Sequence, residues 1–79
     1  MTLGEFLRAG AFNKYVLLYR NDGKVRELHI DGERRIYGIK ALERFAEDVL
    51  SIEVYSFNYS NDDKAIRIIL KGAPNVPRH

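Results

Sequence analysis

The sequence predicts an α+β fold in the order α-β-β-α-β-β: a four-stranded antiparallel sheet with the second helix packed on one face. Three observations predict it. From Val49 to Lys71, two runs rich in β-branched and aromatic residues flank the polar stretch Ser60-Asn61-Asp62-Asp63, which is the signature of a β-hairpin. A second hairpin is written in Tyr15–Arg20 and Val25–Ile30, on either side of Asn21-Asp22-Gly23-Lys24. Between the hairpins, Ile39, Leu42, Phe45, Ala46 and Val49 recur at helical spacing.

In chain order, Thr2 to Ala9 reads as a short helix. Thr2 and Glu5 form a capping box, in which the hydroxyl accepts from the Glu5 amide and the carboxylate accepts from the Thr2 amide. Leu3, Phe6 and Leu7 make one apolar stripe, and Gly10 suits the left-handed residue that ends a helix. So short a helix holds only when docked on a sheet.

In the first hairpin, Asp22-Gly23 favours a type I′ turn because both residues tolerate positive φ. That register sets Leu17 opposite Leu28, Tyr15 opposite Ile30 and Tyr19 opposite Arg26 on the more apolar face, which is assigned to the core. Val16 with His29 and Leu18 with Glu27 take the other face. Asp31-Gly32-Glu33 reads as a turn and Arg34 to Gly38 as a basic connector or a brief strand. Ile39 to Asp48 reads as one helix with Lys40, Glu43, Arg44, Glu47 and Asp48 outward. The second hairpin turns through two or three residues near Asn61-Asp62, and the two choices differ by one step of register. Leu50, Ile52 and Val54 share one face of its first strand; Tyr55, Phe57 and Tyr59 share the other. Residues 1–71 form one domain, and 72–79, with both prolines, form a mobile tail.

At 79 residues the core is thin, with roughly 60–65% of the unfolded surface buried. The hydrophobic share of 46% excludes intrinsic disorder. The absence of cysteine excludes disulfides and thiolate metal sites. The opening lacks the basic and apolar regions of a signal peptide, and no apolar run approaches the ~20 residues that span a bilayer. A cytoplasmic protein without membrane contact is expected. Thirteen basic and eleven acidic side chains leave a formal charge of +2. That excludes an acidic mimic of DNA and permits positive charge gathered on one face.

No catalytic, metal or nucleotide motif stands out, so neither an enzyme nor a cofactor is expected. His29 and Glu27 read as a strand-surface pair without a nucleophile beside them. Asp62-Asp63 lacks the spacing of a calcium loop and reads as turn chemistry. The glycines do not cluster into a phosphate cradle. Tyr55, Phe57 and Tyr59 form the richest constellation. They fit a core packed under the first helix, an exposed anchor for a protein partner, or a base-stacking row with Arg67 or Lys64 nearby for phosphate. Arg34, Arg35, Lys40 and Arg44 offer a basic patch or a solvated face, with Arg34 and Arg35 pointing apart if extended.

The opening Met1-Thr2-Leu3-Gly4-Glu5-Phe6-Leu7, the hairpin after it, a helix ending near Asp48-Val49 and a strand beginning Ser51-Ile52 together resemble a group of small proteins. These are the small uncharacterised proteins of phages and mobile elements of Gram-positive bacteria. In size and cysteine-free make-up the chain is similar to phage-borne anti-CRISPR and other anti-defence proteins. The resemblance covers residues 1–71 and carries over no binding residue. It implies a non-enzymatic inhibitor that sterically occludes a bacterial defence nuclease complex; the residues themselves, apart from the resemblance, offer Tyr55, Phe57 and Tyr59 as its anchors and Arg67, Arg34 and Arg35 as its rim. The alternative is a small nucleic-acid-binding accessory protein using the aromatic sheet face. Exposed sheet edges also allow a homodimer.

Overall fold

The computed structural model describes residues 1–10, 14–29 and 32–72, the Ile39 side chain excepted. It is an α+β domain. The elements are α1 (Leu3–Arg8), β1 (Lys14–Asn21), β2 (Lys24–Leu28), β3 (Arg35–Tyr37), α2 (Gly38–Arg44), α3 (Glu47–Leu50), β4 (Val54–Ser60) and β5 (Ala65–Leu70). The tail expected over 72–79 lies outside the described residues from residue 73 onward, as does Ile30.

The sheet corrects two expectations. It has five strands where four were expected, and it is mixed where an all-antiparallel sheet was expected. The order is β2-β1-β5-β4, with β3 also on β1. Each hairpin is antiparallel, but β1 and β5 run parallel, Leu17 beside Ile68. Burial explains this choice of neighbours. In β1, Tyr15 to Leu18 are all buried, and β5 buries Ala65, Ile66, Ile68 and Leu70. β2 and β4 are almost wholly exposed. Strands apolar on both faces take the centre of a sheet and half-polar strands take its edges. Here the two apolar strands belong to different hairpins, so the hairpins join through them.

The first hairpin keeps its expected register from Leu17–Leu28 to Asn21–Lys24, turning through Asp22 at φ 52° and Gly23 at φ 77°. Past Leu28, the expected pairing gives way to β3. Tyr15 faces Ile36 where Ile30 was expected, and Val16 faces Arg35 where His29 was expected. β3 thus continues the line of β2 along the same edge of β1.

The expected single helix over Ile39–Asp48 is two. Phe45 is extended, at φ −82° and ψ 136°, between α2 and α3. Helix dipoles account for the break. Arg44 sits in the last turn of α2 and Glu47 and Asp48 in the first turn of α3, where each charge is favourable. In one continuous helix the two carboxylates would sit at the unfavourable C-terminal end. The first helix forms as expected. The Thr2 hydroxyl accepts from the Glu5 amide at 3.2 Å, Glu5 Oε1 accepts from the Thr2 amide at 2.9 Å, and Gly10 follows at φ 69°. Its own capping bonds hold the Glu5 carboxyl below the usual range.

All three helices lie on one sheet face. Leu3 and Leu7 from α1, Ala41 from α2 and Val49 and Leu50 from α3 pack over Tyr15, Leu17, Ile36, Ile66, Ile68 and Leu70. Fully burying a side chain of this kind contributes about 1.5–3 kcal/mol. Gly4 lets α1 approach α3: a Cβ there would lie 3.3 Å from Leu50 Cβ. The opposite face carries none of the described helices, yet Val16, Leu18 and Ala65 are buried on it, with Ile69 against them. The β4–β5 loop is a four-residue one, 61–64, since Ser60 pairs with Ala65. That corrects the shorter turn expected. Lys64 closes it at φ 52° and the Ser60 hydroxyl accepts from the Asp63 amide at 3.2 Å.

Candidate binding surfaces on the two sheet faces

The three aromatic residues expected on one face are divided between two. The β4 register slips between Val54 and Ser56, a β-bulge that leaves Tyr55 as the extra residue. Phe57 and Tyr59 then stand opposite Ile68 and Ile66 and share the helix face. Phe57 meets Phe6 of α1 edge-to-face, ring centres 4.7 Å apart, and Phe6 meets Tyr15 in the same way at 6.1 Å. Tyr55 lies under Arg20, whose guanidinium carbon is 4.4 Å from the ring centre. Arg20 stands two residues beyond Leu18 on β1, so this contact belongs to the helix-free face. Tyr55, Phe57 and Tyr59 are 54%, 56% and 51% exposed, so none is core.

The basic candidates divide as well. Arg67 and Arg35 flank Val16 in one row across the helix-free face, with Asn58 beyond Arg67. Lys40 and Arg44 are elsewhere: they line a small groove on α2 with Glu33, Ile36, Tyr37 and Phe45. Arg34 and Arg35, expected to point apart, converge on one carboxylate. Both Nη atoms of Arg34 donate to Asp63, and Arg35 Nη2 lies 3.9 Å from it. Arg34 Nε also donates to Glu27 at 2.8 Å, and Glu27 meets His29 at 3.0 Å. Glu27 is on β2 and Asp63 just ahead of β5, so Arg34 bridges from one side of β1 to the other. The Glu27 carboxyl is held down at about 2, first by Arg34 and then by His29. Arg34 likewise lowers the Asp63 carboxyl, and the two carboxylates raise the Arg34 guanidinium in turn. Asp63 therefore serves the ion network as well as the turn. The His29–Glu27 pair is present, locked into that network and without a nucleophile bonded to it.

Sequence reasoning passed over Arg20, Lys71 and Phe6. Arg20, Tyr55 and Lys71 line an open groove of about 430 Å³ with Asp22 and Gly23. Arg20 was legible from its even spacing with Val16 and Leu18; Phe6 was legible only as core. The Nε of Arg67 is buried and has no hydrogen-bond partner among the described residues.

β4 is the last strand at one side of the described sheet. The segment Met1–Leu3 covers the start of β4, through Val54 N to Met1 O and Leu3 N to Ile52 O, both 2.8 Å. From Tyr55 to Ser60, no strand among the described residues pairs with the outer side of β4. No cluster of three His, Asp or Glu side chains able to hold a metal ion occurs among the described residues, and no described helix is long and apolar enough to cross a membrane. Comparison with protein-family models, curated proteins and solved structures finds no match for this chain.

Proposed function

We propose that this chain is a non-enzymatic protein-binding module that engages its partner along the outer edge of β4. The observation that carries this reading is the edge itself. Val54-Tyr55-Ser56-Phe57-Asn58-Tyr59-Ser60 contains no charge and no proline, and beyond its start no strand among the described residues adds to its outer side. Strand edges of folded proteins are ordinarily blunted by lysine, proline or a cover. This one has a bulge only at its beginning. A partner strand added here gains main-chain hydrogen bonds and two half-exposed aromatic anchors, Tyr59 and the Phe57 that packs on Phe6. The resemblance to phage-borne anti-defence proteins extends the reading to an inhibitor that occludes a surface of a bacterial defence complex.

The test is capture from a host lysate by immobilised wild-type chain and by Phe57→Asp. The substitution falls on a 56%-exposed side chain, so circular dichroism should show the fold retained. A partner held by the wild type and lost by the variant supports the reading. Equal capture by both, or by neither, sinks it.

A further inference from the structure

We infer that the helix-free sheet face is a binding site for single-stranded nucleic acid. It lies on the other side of the sheet from Phe57 and Tyr59, so its failure leaves the β4-edge reading standing.

The charge of the chain is nearly balanced, but its distribution is not. Lys14, Arg20, Arg35 and Arg67 alternate onto this face, and Lys71 joins Arg20 and Tyr55 in the groove at its end. The described carboxylates placed over the face are Glu27 and Asp63; Arg34 engages both with hydrogen bonds, and Arg35 stands off Asp63 at 3.9 Å with its exposed guanidinium still open to a ligand. Asp22 borders only the groove end. What remains for a ligand is a run of cations. From Lys14 to Arg20 it extends roughly 20 Å, at ~3.3 Å per strand residue.

Three further features choose the ligand. An exposed tyrosine stands at each end of the run: Tyr37 beside Lys14, and Tyr55, whose ring has Arg20 against one side. Bases stack on such rings whatever their identity. Ser56, Asn58 and Ser60 share the face with Arg67 on β4 and offer neutral hydrogen bonds. Arg67, at the centre, has a shielded Nε without an acceptor, and buried donors in folded proteins normally have one. A phosphate at the surface would pair with the guanidinium's outer nitrogens, and the charge of this arginine is not spent on any hydrogen bond from its Nε. An acidic peptide would satisfy the cations and leave the tyrosines idle. Val16, Leu18 and Ala65 are sealed on this face and Val25 is its one half-exposed aliphatic side chain among the described residues, too little to anchor in a lipid surface.

The experiment is fluorescence anisotropy of a labelled oligothymidylate and oligouridylate titrated with the full chain at two salt concentrations. Saturable binding is expected, with a log–log salt slope of about −2 to −3, the value for three or four phosphate contacts to a single strand. Arg35→Gln with Lys71→Gln, both exposed positions, should weaken binding at least about tenfold and flatten the slope by about 1.4. Tyr55→Ser should weaken binding and leave the slope unchanged. Phe57→Ser, on the opposite face, should bind as the wild type does. The proposal is overturned by absent binding at low salt, by polyglutamate competing as well as the oligonucleotide, or by Phe57→Ser weakening binding as much as the double variant. A wild-type circular dichroism spectrum and a cooperative urea transition confirm that each variant is folded.

Discussion

Arg34 and Asp63 stand 29 residues apart in the chain and meet in a two-pronged ion pair. The pair ties the segment between β2 and β3 to the β4–β5 loop, and Arg34 carries the link on to Glu27. Asp63 is the enclosed member, its side chain 10% exposed against 37% for Arg34. Exposed ion pairs hold little stability, but a carboxylate shut in beside its partner depends on it. Arg34→Gln should therefore lower the urea midpoint clearly. Arg35→Gln, whose nitrogen lies 3.9 Å from the same carboxylate, should lower it far less. Equal midpoints for the two variants would remove Arg34 from its structural role.

The same network sets an acid limit. Glu27 is lowered from 4.5 to about 2, and Asp63 is lowered too, so the unfolded chain binds these protons first as pH falls. Their contribution to stability is complete above about pH 4.5 and is lost as pH drops toward 2. Urea midpoints should be flat from neutral pH to about 5 and fall below it. In Arg34→Gln the fall should be shallower, because the largest cause of both shifts is gone. A variant with the wild-type acid profile would contradict this account.

What was legible in the sequence was local. Thr2 and Glu5 lie within one turn and satisfy each other, so α1 could be read from those two residues. Asp22-Gly23 sets the first hairpin's register from its own backbone preferences. The pairing of β1 with β5 joins residues about fifty apart, and it depends on which strands of the finished sheet are buried on both faces. Alternation along one strand does not carry that information. The break at Phe45 had a signal, in Glu47 and Asp48 following Arg44, but the apolar spacing ran through it. The bulge at Tyr55 had none that we can identify, and it decided the site: one extra residue moved Tyr55 from the company of Phe57 to that of Arg20.

Lys64 is held at φ 52°, where its Cβ crowds the backbone at a cost of about 1–2 kcal/mol. Glycine removes that cost and adds about 0.5–1 kcal/mol of chain entropy to the unfolded state. Lys64→Gly should therefore stabilise the protein by up to about 1 kcal/mol. Gly23→Ala, at φ 77° in the first hairpin, should destabilise it by a comparable amount. Urea denaturation of both variants tests this as an opposed pair, and shifts in the same direction would count against the left-handed assignment of one loop.

Ile68 and Phe57 face each other across β4 and β5 on the helix side, yet one is core and the other is surface. Ile68 is fully buried at the centre of β5, and truncation to alanine leaves a cavity that neighbours on both sides cannot close. A cost of about 2–5 kcal/mol is expected. Phe57 is 56% exposed and gives up mainly its edge-to-face contact with Phe6, worth about 0.5–1.5 kcal/mol. Denaturant unfolding of Ile68→Ala and Phe57→Ala should therefore separate by at least about 1 kcal/mol, with Phe57→Ala remaining folded. If the two cost the same, Phe57 is a core residue and the β4 edge loses its anchor. If Phe57→Ala is nearly silent in stability, the aromatic side chain is free to be spent on a partner.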